Sequence, residues 1–287
     1  MIKNTSSFFL RVKDHAVSQE IFELHYNSDV DMLLTNPKPE NIALWQYYKS
    51  GDYISHTDAT RTVIEKLYQL VKGWAIQSKL KLINQLQTEK GSLLDIGAGT
   101  GDFLNAARKD GWEITGIEPN SKASDLAKQK NIDLNNDETG LDNQSFDVIT
   151  LWHVLEHIPD LQLQISNFKK LLKPNGHLIV AVPNFRSYDA KYYKEFWAAY
   201  DVPRHLWHFS KPAISRLFLQ ENMIVESIIP MKFDSFYVSL LSEKYKTGSN
   251  NYLKAAWIGL LSNRKGRKTG EYSSHIYIIK NTKVVLK

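Results

Sequence analysis

Two stretches of this 287-residue sequence carry residues whose types and spacing could do chemistry. The first is HVLEH, His153 to His157, in which two histidines four apart accompany the carboxylate of Glu156. Displayed on one helix face, such groups bind zinc and activate a water molecule. The second is LLDIGAGTGDFL, which sets Asp95, Gly97, Gly99 and Gly101 where an apolar run meets a helical segment. Glycines at such a junction permit a tight turn and let a ligand lie directly on the backbone.

The glycine spacing restricts that ligand. A dinucleotide fingerprint needs its third glycine three residues after the second, where this chain has Asp102, and a carboxylate there repels a pyrophosphate. A P-loop is also absent, because no Gly-Lys-Ser/Thr follows. The expected ligand is a nucleoside without phosphates. Glu118 closes the next apolar run, ITGIEPN, and an acid at this strand end accepts hydrogen bonds from ribose hydroxyls.

The elements that must hold these residues follow from periodicity. Residues 8 to 35 alternate as short extended pieces with a turn at Asn27-Ser28-Asp29. After Pro37 and Pro39, ENIALWQYY predicts a short helix. From the N-cap Asp58, apolar residues including Val71 and Trp74 recur at helical spacing, predicting one amphipathic helix to about Leu86. From 91 the runs SLLDI, FLNAARKD, EITGIE, SKASDLAKQK, NIDL and FDVITLW alternate as repeated βα units around a parallel sheet. The helix LQLQISNFKKLL, the strand HLIVAVP, a capped helix near Ser210 and the strands MIVESIIP and SSHIYIIK continue the series.

Composition sets outer bounds. Hydrophobic content of 43% and charged content of 23% belong to an ordinary soluble globular protein. The absence of cysteine excludes disulfides, thiolate zinc sites and a cysteine nucleophile, and a cytoplasmic setting is expected. The N-terminal apolar run is too short for a signal peptide, and later runs fall short of the roughly 20 residues that cross a bilayer. The net charge of +5 is uneven, with ten Lys or Arg and the single acid Glu271 between Lys244 and Lys287.

The D-x-G-x-G-x-G loop with Glu118 closely resembles class I S-adenosylmethionine-dependent methyltransferases. The runs FDVITLWHVLEHIPD and LLKPNGHLIVAVPN are similar to the branch that includes ubiquinone-type O-methyltransferases. The resemblance covers about residues 91 to 229, completed by a final strand at 273 to 280. It implies a Rossmann-like α/β fold: a seven-stranded sheet, last strand antiparallel, with helices on both faces. An N-terminal β and helical extension over 1–90 precedes a cofactor domain over 91–287, in which 232–270 is a helical insertion. The implied cofactor is S-adenosylmethionine. Gly97, Gly99 and Gly101 would hold its methionine and ribose portions, with Asp95 near the amino end. Glu118 would hold the ribose hydroxyls, Pro119 would flank the adenine, and Leu151 with Trp152 would line the pocket.

The implied reaction is methyl transfer to a small-molecule acceptor at a hydroxyl oxygen, an in-line displacement that depends on alignment and on removal of a proton. A histidine is suited to that proton, with His157 the first candidate and His153 the second. FWAAYDVPRHLWHFS also resembles the family, and Tyr200, Arg204, His205 and His208 are candidate acceptor contacts. YISHTD is similar to an extension that covers the site in some relatives, which adds Tyr53 and His56. Some relatives carry a cysteine zinc element upstream; this chain has none, so no metal is carried over.

Alternatives stay open. His153, Glu156 and His157 could serve a zinc hydrolase, although HVLEH starts at a strand end and lacks a third ligand. The chain could also bind the cofactor without catalysis, or work as a membrane-surface protein. Residues 251–268 join an aromatic and apolar helix to a basic cluster, and either a weak membrane contact or a helix packed on the domain fits them. No nucleic-acid partner is expected, because LWHV stands where base methylases carry Asn-Pro-Pro-aromatic. Oligomeric state is not legible.

Overall fold

A computed structural model describes residues 6–40, 45–48, 63–87, 89–141 and 144–282. Three strands come first, β1 (Ser6–Lys13), β2 (Ile21–Asn27) and β3 (Met32–Asn36), paired antiparallel in sequence order. Side chains fix their turns: Asp14 accepts the amides of Ala16 at 2.9 Å and Ser18 at 2.7 Å, and Asn27 Oδ1 accepts that of Asp29 at 3.0 Å. Of the expected short helix, the described residues Trp45–Tyr48 form a 3-10 turn.

Helix α1 (Val63–Leu86) precedes the alternating series β4 (Ser92–Ile96), α2 (Asp102–Lys109), β5 (Glu113–Ile117), α3 (Ser121–Lys128) and β6 (Phe146–Trp152). Then come α4 (Leu161–Leu171), β7 (Leu172–Pro183), α5 (Tyr188–Tyr193), β8 (Trp207–His208), α6 (Lys211–Gln220) and β9 (Met223–Pro230). Helices α7 (Asp234–Thr247) and α8 (Tyr252–Thr269) and strand β10 (Ser274–Asn281) complete the described chain. Starts are set by polar caps: Asn120 for α3, Ser187 for α5, Ser210 for α6 and Asn251 for α8 each accept a first-turn amide.

The larger sheet has the order β5-β4-β6-β7-β10-β9, with β4 parallel to both neighbours and the last strand antiparallel. Among the described residues six strands form it. The predicted strand NIDL does not form; the residue after it, Asn135, makes a single parallel bridge to Ile117 beside β5. Pairing stops there because the following residues are polar, and Asp137 Oδ1 takes the Thr139 amide at 2.8 Å to start a turn. Helix α1 also departs from its predicted face: Val71 and Trp74 are exposed, whereas Leu80, Leu82 and Ile83 are buried.

The chain divides by contact into two compact units, one of residues 1–50, 153–165 and 180–279, the other of 51–152, 166–179 and 280–287. The first holds the smaller sheet, in the order β1-β2-β3-β8. Its core gathers Phe22, Leu24, Leu33, Tyr193 and Trp197. Buried Asp189 is a polar hub there, accepting from Ser262 Oγ at 2.6 Å, Ser273 Oγ at 2.6 Å and Trp197 Nε1 at 2.8 Å. The second unit packs its loop and strands closely: a Cβ on Gly116 would stand 2.4 Å from Leu134 Cδ2 and 2.5 Å from Leu104 Cδ1.

Removing the Asp189 acceptor leaves three buried donors unsatisfied. Asp189→Ala is therefore expected to destabilise by about 3 kcal/mol. Urea unfolding followed by circular dichroism measures this, and an unchanged midpoint would remove the hub from the account.

Candidate functional site

The glycine loop lies wholly in the second unit. Gly97, Gly99 and Gly101 all have left-handed backbones, with φ of 72°, 54° and 71°, which a side chain would strain. The amides of Gly97 and Ala98 both donate to the Ile117 carbonyl, at 2.8 and 2.9 Å, and tie the loop to the end of β5. The glycines then part in role. A Cβ on Gly101 would meet Ala127 Cβ at 3.0 Å, whereas a Cβ on Gly99 meets nothing within 4 Å. Gly101 permits close packing, and Gly99 faces open space.

Glu118 is buried at the end of β5, and its carboxylate oxygens accept one backbone amide each: Gly99 at 2.8 Å and Asn120 at 2.9 Å. Burial raises its pKa against the effect of those two amides. Each oxygen keeps a further lone pair for a hydroxyl donor. Asp95, buried at the end of β4, accepts from Thr150 Oγ1 at 2.6 Å. Burial pushes it up to about 7, opposed by the Thr150 hydroxyl and the Lys79 charge. Asp102 is paired with Lys130 at 2.6 Å and Lys72 at 2.7 Å. Burial works to raise its pKa, but those partners hold it low.

Trp152 closes β6 with Lys79 Nζ 4.4 Å from its ring centroid and the edge of Phe103 at 5.8 Å. Its indole N–H is buried and has no partner among the described residues. Leu151 is fully buried in the sheet and Pro119 is exposed. A cradle open above Gly99, a buried acceptor at Glu118 and an unused donor at Trp152 fit a nucleoside ligand in donor set and in space.

HVLEH lies in the first unit and is no α-helix. His153 has φ of 58°, and Leu155–His157 form one 3-10 turn. His153 Nε2 is 3.1 Å from Asp234 Oδ2, and its Nδ1 is 3.5 Å from Glu156 Oε1. Burial acts to lower its pKa, but the two carboxylates push it up to about 10. Both ring nitrogens of His153 are turned to carboxylates, Asp234 and Glu156, rather than to open space. The triple His153, Glu156 and His157 is also not assembled as zinc ligands, since His153 is committed to Asp234. Ligand atoms of Glu156, His157 and His205 do come within 4.8 Å of one another.

His157 behaves in the opposite way. Its Nδ1 is 3.0 Å from the Arg204 carbonyl, so Nδ1 carries the hydrogen and Nε2 the lone pair. Burial and the charge of His205 lower it to about 4, against Glu156, Asp201 and the Arg204 carbonyl. The His205 ring meets it edge to face at 4.6 Å and bonds the Ala199 carbonyl through Nδ1 at 2.9 Å. Both oxygens of fully buried Glu156 lack a hydrogen bond among the described residues. Burial works to raise the Glu156 pKa, but the surrounding histidines, His153 first, hold it low.

The predicted acceptor contacts separate. Arg204 and His205 stand with His157, and Arg204 Nε is bonded to Asp201 at 3.1 Å. His208 is turned inward: Thr35 Oγ1 donates to the His205 carbonyl at 2.6 Å and so accepts from His208 Nε2 at 3.1 Å. Burial and His205 lower the His208 pKa well below its usual value. Tyr200, buried between Trp197 and His208, lines a cavity of about 480 Å³ with Phe9, Tyr26, Phe185 and Arg186. Tyr53 and His56 lie outside the described residues. Sequence reading missed Lys79, Thr150 and Asp234; a partner set by tertiary contact leaves no spacing to read.

A family model described as a methyltransferase domain matches residues 69–227. Among curated proteins, the chain is 37% identical over 122 residues to the ubiquinone biosynthesis O-methyltransferase of Coxiella burnetii, covering 38% of this chain and 52% of that protein. The Haemophilus ducreyi enzyme of the same name is 32% identical over 120 residues, covering 35% of this chain and 51% of its own. The chain thus spans about half the length of the curated relatives it matches. Among solved structures, magnesium protoporphyrin IX methyltransferase from Synechocystis PCC 6803 aligns with TM-score 0.56 and 13% identity, over 85% of this chain and 100% of that one. Mycolic acid cyclopropane synthase aligns with TM-score 0.55 and 14% identity, over 84% and 99%. These two likenesses establish the fold.

The opposite protonation of the two histidines has a measurable consequence. In an NMR pH titration, His153 is expected to titrate near 10 and His157 near 4, and Asp234→Asn should bring His153 back toward 6.5. The raised His153 contributes stability that is full below pH 6.5 and lost as pH rises through about 10. The depressed His157 contributes stability present above pH 6.5 and lost as pH falls toward 4. Equal titration of both rings near 6.5 would contradict the geometry.

Proposed function

The chain belongs to the methyltransferase-domain family, and from that premise we propose that it transfers a methyl group from S-adenosylmethionine to the hydroxyl oxygen of a small molecule. The observation that carries the cofactor is the second unit's loop: three left-handed glycines, open space above Gly99, and buried Glu118 at the adjoining strand end. The likeness to ubiquinone biosynthesis O-methyltransferases supports an oxygen acceptor.

When bound, S-adenosylmethionine supplies a methyl group activated by its sulfonium and leaves as the neutral thioether. The protein's part is to hold and to take up a proton. Glu118 accepts the ribose hydroxyls on the lone pairs its two amides leave unused. Asp95, at the end of β4, accepts from the amino group, and an ammonium beside it favours its charged form. Trp152 offers its buried N–H, and Lys79 over the same ring adds a positive charge to that wall.

His157 is the residue we assign to the acceptor's proton. Its lone pair is present at neutral pH because its conjugate acid is held near 4. His157 Nε2 would receive the proton that the acceptor hydroxyl gives up on methylation, and ionised Glu156 would favour the resulting imidazolium. A low basicity limits how far this transfer runs ahead of bond formation, so an acidic hydroxyl such as a phenol suits the site better than an aliphatic alcohol. Arg204 positions His157 through its carbonyl, and Asp201 holds Arg204.

Calorimetric titration with S-adenosylhomocysteine tests the first half. Gly99→Arg and Glu118→Ala should each weaken binding by about 30-fold or more, equivalent to about 2 kcal/mol. Full affinity in both variants would sink the pocket. His157→Ala should lower turnover of a phenolic acceptor by about 100-fold and leave S-adenosylhomocysteine affinity within about twofold; the reverse pattern would make the residue structural.

A further inference from the structure

Helix α8 turns its bulk the wrong way for a helix packed into a domain. Its inward residues are small: Ala255, Gly259, Ser262 and Gly266 are buried, together with Ile258. They are small by necessity, since a Cβ on Gly259 would come within 2.7 Å of the Phe236 ring and one on Gly266 within 2.9 Å of Tyr272. Ile258 and Leu261 pack inward beside them, but three large apolar side chains face out, with Leu253 87% exposed, Trp257 59% and Leu260 54%. These three fall at the spacing of one helix face, and Arg264 and Arg267 continue the same line. Exposed apolar residues aligned in this way mark an interaction surface, whereas single ones need no explanation.

We propose that this face of α8 seats the protein on an anionic lipid surface. The charge of the helix selects that occupant. Over Tyr252–Thr269 the sequence YLKAAWIGLLSNRKGRKT has five Lys or Arg and no acid. Two copies meeting through this face would bring both basic helices together, which opposes a dimer. A bilayer bearing anionic head groups satisfies both halves: Leu253, Trp257 and Leu260 enter the head-group and acyl boundary, and Arg264, Arg267 and Lys268 meet the phosphates. At 1.5 Å per residue the helix is about 27 Å long and lies along the surface. Among the described residues no helix is long and apolar enough to cross a membrane, which is consistent with a peripheral contact.

The test is co-sedimentation of the full chain with vesicles of phosphatidylcholine alone or mixed with phosphatidylglycerol. The expected result is binding to the mixed vesicles at least about tenfold stronger than to phosphatidylcholine, weakened by salt. L253S/W257S and R264E/R267E should each reduce it by about tenfold or more, with an unchanged urea midpoint as the folding control. Absence of binding to the mixed vesicles would overturn the proposal. So would binding that neither double variant changes, or a dimer seen by light scattering that L253S/W257S dissociates while the wild-type chain ignores lipid.

Discussion

The hydrogen bond from the Gly99 amide to Glu118 is the contact on which the cofactor loop depends. It crosses from the turn after β4 to the end of β5, and the Gly97 and Ala98 amides reinforce it through the Ile117 carbonyl. An amide can point at that carboxylate only if the chain reverses sharply, and three left-handed residues in five perform the reversal. A parallel sheet supplies the rest, because β4 and β5 run side by side in register from Ser92 with Glu113 to Ile96 with Ile117. One buried acid thus orders the loop while each of its oxygens keeps a further lone pair.

Burying charge is the second constraint, and the two units meet it differently. Around the glycine loop, Asp95 is raised to about 7 by burial, while Asp102 is held low by two lysines. The position that argues against a pyrophosphate is therefore less negative than its letter implies. In the HVLEH turn the solution is asymmetric: His153 is cationic between Asp234 and Glu156, and His157 is neutral against a carbonyl. Two histidines of opposite charge preference then stand four residues apart.

Much of this was legible in the sequence, for reasons particular to each element. The glycine loop and Glu118 could be read because local backbone geometry demands those residue types at those places. The βα series and the early hairpins could be read because burial imposes a period on each element. The third strand could not, since NIDL has an apolar pattern but its polar continuation turns away after one bridge. The face of α1 misled in the same way: its periodicity extends through Val71 and Trp74, yet both are exposed and Leu80, Leu82 and Ile83 are buried. Asp201 beside Arg204 could be read from local spacing, but partners drawn from distant elements could not. Asp234 reaches His153 from α7, and Thr35 pins His208 from β3, pairings that no spacing encodes.

Helix α8 shows what an apolar pattern does and does not say. Periodicity reports that one face of a helix differs from another, and the usual inference is that the apolar face goes inward. Here the inward face is marked by glycine, alanine and serine, because α7 approaches so closely that Phe236 occupies the room a side chain on Gly259 would need. The bulky stripe is displaced outward by that approach. Small residues at helical spacing carry as much information about burial as large ones do, and where both stripes occur on one helix the small one names the packed face. The large one then has to be accounted for by something outside the fold, and the run of basic residues on the same line limits what that can be.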